Sequence, residues 1–186
     1  MLASVDILVN NAGVFPVADF FSISDDDWRS ILETNVMSGV RCSRHYMPKM
    51  LEQNWGRVIF IASESAFAIP PEMIHYGVTK GAQVSVARGL AVLARGTNVT
   101  CNTVLPGPTR TEGVQAWLSQ VAHKEKISEA EAEVKLFEEG ARSASLRGKF
   151  LEPAEIANAV LFVASQLSSA SNGATFRAEG GLLNHV

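Results

Sequence analysis

The chain has 186 residues, 47% hydrophobic and 19% charged, the composition of one globular domain with material for a buried core. A formal net charge of −3 gives no support for a nucleic-acid or anionic-membrane partner, and no apolar run approaches a membrane span. Cys42 and Cys101 fall in helix-like and strand-like runs and read as buried thiols in a reducing compartment, while His45, His75, His123 and His185 lack metal-ligand spacing, so no metal is expected.

In chain order, the first element is a short apolar strand, Val5–Val9. No basic segment or long apolar core precedes it, so the start is not a signal peptide and the cytoplasm is the expected location. Asn10-Asn11-Ala12-Gly13 follows, rich in residue types that tolerate left-handed turns. Ser24 with Asp25, Asp26 and Asp27 reads as a capped helix start, and Trp28, Ile31, Leu32, Val36 and Val40 mark one apolar face. Asn35 lies inside this helix, Pro48 kinks or ends it, and Gly56 closes the segment.

Val58–Ala62 is fully apolar and β-branched, as a buried parallel strand should be. Ser63 stands at its end, before a loop containing Pro70-Pro71. A helix is expected from near Ile74, with Val78, Ala82, Val86 and Leu90 on one stripe and Gly96 as its stop. Val99–Leu105 is the next strand, running into Pro106-Gly107-Pro108-Thr109-Arg110-Thr111. From Glu112 to Lys149 charged residues dominate, with Trp117, Leu118, Val134 and Phe137 interleaved. Pro153 opens a helix through Val163, and Ala174–Arg177 reads as a last strand before Gly180-Gly181.

Tyr76 and Lys80 are four residues apart and share one helix face. A phenol titrates at about 10, too high for ready proton exchange at neutral pH; lowering it by three units takes roughly 4 kcal/mol, which a nearby ammonium in a desolvated cleft can supply. A hydroxyl at the mouth of the preceding strand can hold the same substrate oxygen. Ser63, Tyr76 and Lys80 therefore read as orienter, acid/base and tuner, with Ser65 as the alternative to Ser63. Phe67, Ile69, Pro70 and Met73 suggest an apolar pocket wall.

Asn10–Gly13 after a strand, Asn35 in a helix, Ser63 thirteen residues before Tyr76, and Pro106–Thr109 after a later strand stand together in one order. In that order and spacing the chain resembles the short-chain dehydrogenase/reductase family from Val5 to about Leu183. The resemblance implies a single α/β domain over 1–186, with a Rossmann-like, mostly parallel, doubly wound sheet. It implies reversible hydride transfer between NAD or NADP and a small-molecule carbonyl or secondary alcohol. Asn35, Ser63, Tyr76 and Lys80 would be catalytic, Asn35 through a water that links Lys80 to solvent. Asn11, Ala12, Gly13, Tyr76, Lys80, Pro106, Gly107, Thr109 and Thr111 would meet the cofactor. Residues 112–150 correspond to the substrate lid, and the long helices would pair in a homodimer or homotetramer. The glycine-rich pyrophosphate turn does not occur in these 186 residues, so the first mononucleotide-binding half is expected to be missing and Val5–Val9 to form a sheet edge. The contrasting expectation is a catalytically silent relative that acts as an oligomerisation or binding partner.

Overall fold

The computed structural model describes residues 5–140 and 142–184; His185 lies outside them. Among the described residues, β1 (Ile7–Asn10), β2 (Gly56–Ile61), β3 (Val99–Pro106) and β4 (Thr175–Ala178) form one sheet in the order β1-β2-β3-β4, parallel throughout. Parallel neighbours need crossover connections, and helices provide them. α1 (Asp25–Leu32), a π-helical segment (Glu33–Met37) and α2 (Ser38–Glu52) run on continuously between β1 and β2. α3 (Ile74–Leu93) joins β2 to β3. Two helices, α4 (Glu112–Glu125) and α5 (Glu129–Glu138), precede α6 (Pro153–Ala164), which leads to β4.

Burial along β2 shows why its sequence is apolar at every position. Val58 and Phe60 pack against Met47 and Met50 of α2 and Ala87 and Ala91 of α3. Ile59 points the other way, into Val104 of β3 and Val163 of α6. Helices thus cover both faces of the sheet, the Rossmann-like α/β arrangement that the resemblance implies. β1 is an edge strand; its Leu8 packs on the α2 side. Ile7 and Val9 are exposed on the opposite face, and Val9 with Ile61, Ile156 and Val160 lines an apolar groove of about 440 Å³.

Several sequence expectations need correction. β1 and β2 each begin or end about two residues away from the apolar runs, because strand limits follow pairing rather than hydropathy. Pro48 neither ends nor splits α2, which continues to Glu52. Met47 and Met50, buried against the sheet, hold the helix across the missing N–H. Gly56 opens β2 instead of closing a helix; a Cβ there would lie 2.6 Å from the Met50 side chain. Cys42 is exposed, on the face of α2 away from buried Gly39, Ser43, Met47 and Met50, while Cys101 is buried as expected.

The stripe read for α3 is not its most buried face. Val78 is exposed, whereas Thr79, Lys80, Gln83, Ala87 and Ala91 point inward. The inward face is polar near its N-terminal end because it builds the site, and apolar only further along. Within 112–150, Phe137 belongs to a small separate core with Leu118, Ala122, Ala132 and Phe150, its ring 5.1 Å from Phe150 edge-to-face. Trp117 stands half exposed outside the cavities that surround the candidate site.

Candidate active site

The carboxyl ends of β1, β2 and β3 open into a cavity of about 760 Å³, where ligands of open α/β sheets bind. Ser63, Ser65, Tyr76, Lys80, Asn11, Gly13, Pro106, Gly107, Thr109 and Thr111 all line it; Ala12 does not. Of the expected apolar wall only Met73 lines the cavity; Val14, Phe15 and Val114 take the place of Phe67, Ile69 and Pro70.

Ser63 caps a short 3-10 turn, accepting from the Ser65 N–H at 3.1 Å, and this places its hydroxyl beside the first turn of α3. Tyr76 occupies that turn, with Ser63 close enough to its phenol to influence it. Burial pushes the Tyr76 phenol up to about 12, with the Ser63 hydroxyl working in the opposite direction. Lys80 lies one turn on, its Nζ donating to the Ile61 carbonyl at 2.9 Å and to Gln83 Oε1 at 3.1 Å. Burial brings the Lys80 amine down to about 8, and nearby Glu64 works against that fall. Burial is the leading influence on the Tyr76 phenol in this arrangement. The amine sits over the Tyr76 ring, 5.5 Å from its centroid, and is engaged elsewhere, so desolvation governs the phenol.

Asn35 falls in the middle of the π-helical segment and is fully buried. Its side chain clasps the loop after β1: Val14 N–H donates to Oδ1 at 2.8 Å and Nδ2 donates to the Val14 carbonyl at 2.9 Å. Nδ2 also donates to Thr79 Oγ1 at 3.0 Å, tying that loop to α3. A π turn slips the helical register by one residue and so aims a side chain that an α-helix would aim elsewhere.

Glu64 is the residue that sequence reasoning missed. It is 3% exposed, accepts the Ser63 hydroxyl proton on Oε2 at 2.5 Å, and pairs through Oε1 with Arg142 Nη1 at 3.1 Å. A carboxylate is kept in such a place only when paired and hydrogen-bonded. The only local signal was an acid directly after Ser63 in an otherwise apolar stretch; its partner is far away in the 112–150 segment. Arg110 ties the 112–150 segment down a second time, reaching Glu133 at 2.7 Å and lying over the Phe150 ring.

Gly107 has a backbone reason to be glycine. A Cβ there would stand 2.5 Å from the Glu179 carbonyl oxygen and 2.7 Å from its carbonyl carbon and Cα, atoms that cannot swing aside. Gly107→Ala is expected to destabilise the chain by about 1–3 kcal/mol, read as a lowered denaturation midpoint. An unchanged midpoint would show that β3 and the Glu179 turn separate freely.

A parallel sheet covered by helices on both faces, with a hydroxyl, a phenol and an amine lining the cavity at its carboxyl edge, is a Rossmann-like α/β architecture. The chain belongs to the short-chain dehydrogenase/reductase family: a family model described as Enoyl-(Acyl carrier protein) reductase matches residues 1–183. It is 50% identical over 182 residues to a Bacillus subtilis (strain 168) protein named Uncharacterized oxidoreductase YvaG, covering 98% of this chain and 69% of that one. It is 31% identical over 176 residues to D-beta-hydroxybutyrate dehydrogenase of Cupriavidus necator, covering 95% of this chain and 67% of that one. Among solved structures, L-sorbose reductase from Gluconobacter frateurii, complexed with NADPH and L-sorbose, matches with a TM-score of 0.91 at 26% identity, over 98% of this chain and 68% of that one.

Proposed function

We propose that the chain is an oxidoreductase that uses NAD or NADP to interconvert a carbonyl and a secondary alcohol on a small molecule. One observation carries this reading: Ser63, Tyr76 and Lys80 open into the same cavity at the carboxyl ends of the strands. The relatives named above, a dehydrogenase and a reductase complexed with NADPH among them, support it.

The residues fit the nicotinamide end of a dinucleotide. The cavity pairs apolar walls from Val14, Phe15 and Met73 with a few polar points, the Lys80 amine and the Thr109 and Thr111 hydroxyls among them. The backbone of Asn11–Gly13 and of Pro106–Gly107 would flank the bound group. When bound, the nicotinamide supplies or accepts the hydride. Tyr76 holds the proton that reaches or leaves the substrate oxygen; burial keeps its phenol protonated, and the Lys80 cation beside it would have to lower it for ready exchange at neutral pH. Ser63 orients that oxygen by turning its hydroxyl away from Glu64. Lys80 offers a cation and a donor beside Tyr76, and Asn35 keeps the Gly13–Val14 loop in place. Residues 112–150 act as the substrate lid. Exposed Val78, Val92 and Leu93 on α3 support association into a homodimer or homotetramer.

The test is consumption of NADH or NADPH by the purified chain with a panel of ketoses, 3-oxoacyl compounds and simple ketones, followed by absorbance. Carbonyl-dependent oxidation that Tyr76→Phe abolishes is the expected result. Oxidation that this variant retains in full, or none with any pair of reactants, overturns the reading and favours a silent binding partner.

A further inference from the structure

Gln83 lies three residues beyond Lys80, on the inward face of α3, and is 1% exposed. A carboxamide has two donors and acceptor lone pairs to satisfy when it is buried. Gln83 meets them with Lys80 on one side and Asn35 on the other. Its Oε1 accepts from Lys80 Nζ at 3.1 Å, and its Nε2 donates to the Asn35 backbone carbonyl at 2.6 Å. These two partners leave no choice of orientation, because the ammonium cannot accept and the carbonyl cannot donate. The acceptor carbonyl belongs to the π-helical segment, so α3 and that segment are pinned together beside the reactive amine.

We propose that Gln83 is a positioning residue for Lys80, bridging its amine to the Asn35 carbonyl where the family resemblance implies a water. The inference rests on Lys80 being the active-site amine of the proposed oxidoreductase. Two consequences separate this bridge from a water. A water can take a proton on one lone pair and release another, whereas a neutral carboxamide does not pass a proton at ordinary pH. Asn35–Gln83–Lys80 is therefore a brace and not a proton wire. Lys80 also lines the cavity, so the cleft side is the side left open for proton exchange. The bridge also favours the ammonium form, since the amide oxygen accepts from it. The ionisable groups facing Lys80 are Tyr76 on its own helix and Glu64 from the turn after β2, the latter paired with Arg142; the π-helical segment presents only the Asn35 amide and carbonyl.

The experiment is a pH titration of the Lys80 amine by side-chain NMR on nitrogen-15-lysine-labelled 186-residue chain, with no cofactor or substrate present. The Lys80 signal is assigned by its loss in Lys80→Met. Gln83→Met keeps the length of the side chain but removes the acceptor, and should lower the Lys80 midpoint by about one unit. Gln83→Glu places a carboxylate at the same distance and should raise it. A merely structural role would lower the melting temperature and leave the Lys80 midpoint where it was, which overturns the proposal. If Gln83→Met lacks a folded near-ultraviolet CD spectrum, Gln83→Glu decides alone: a raised midpoint supports the bridge, an unmoved one refutes it. A chain without dehydrogenase activity still answers, so failure of the proposed function and failure of the bridge are told apart.

Discussion

Replacing Tyr76 by Phe is expected to lower turnover at least about 10²-fold while leaving the chain folded. The substitution removes the oxygen proposed to give a proton to a substrate carbonyl, yet keeps the ring over which the Lys80 amine lies. The structural cost is small, because the ring and its packing are kept. Cofactor affinity should hardly move, because the ring and Lys80 remain in place. Ser63→Ala should also slow turnover, since it removes the orienting hydroxyl and leaves the Glu64 carboxylate short of a donor. Near-full turnover in both variants would show that proton transfer occurs elsewhere.

Lys80→Met is expected to do two things of opposite sign: abolish turnover and raise stability at neutral pH. Burial lowers the Lys80 amine from 10.5 to about 8. Between those values the unfolded chain holds more protons than the folded one, so stability contributed by this group rises with pH across that window. Below about 8 the full penalty for burying the ammonium is present, on the order of 3 kcal/mol before its hydrogen bonds to Ile61 and Gln83 are set against it. Methionine removes the charge and with it the penalty. Cys101, pushed up to about 12 by burial from 9.0, and Tyr76 act the other way, costing stability as pH rises through about 9–12 because the unfolded chain loses those protons first. The informative quantity is thus the difference between Lys80→Met and the parent chain, measured by denaturant unfolding from pH 7 to 10. The variant should be more stable at pH 7, and its advantage should shrink as pH rises. A deficit that stays constant with pH would mean that burial of the cation is not what holds the amine low.

The candidate site was legible wherever its parts are close in the chain. Tyr76 and Lys80 share a helix face at any four-residue spacing, and Ser63 ends a strand whose apolar run is visible residue by residue. The glycine- and asparagine-rich turns after Val9 and Leu105 marked strand ends, and order along the chain placed them at one edge of a parallel sheet. Hydropathy alone misjudged α3, because a helix that carries a polar site turns its polar side inward and leaves Val78 outside.

By itself, then, the sequence determined the succession of strands and main crossover helices, which local periodicity encodes, and put Ser63, Tyr76 and Lys80 forward as candidates through their spacing and the family resemblance. Only the tertiary structure decided the rest: the π-helical register that aims Asn35, the Arg142-paired Glu64 that accepts a hydrogen bond from the Ser63 hydroxyl, and the Gln83 bridge between Lys80 and a neighbouring helix. Each of these joins groups far apart in sequence or depends on a one-residue slip in a helix. A buried polar atom takes whichever partner the packed elements bring within about 3 Å, and that choice is made in three dimensions.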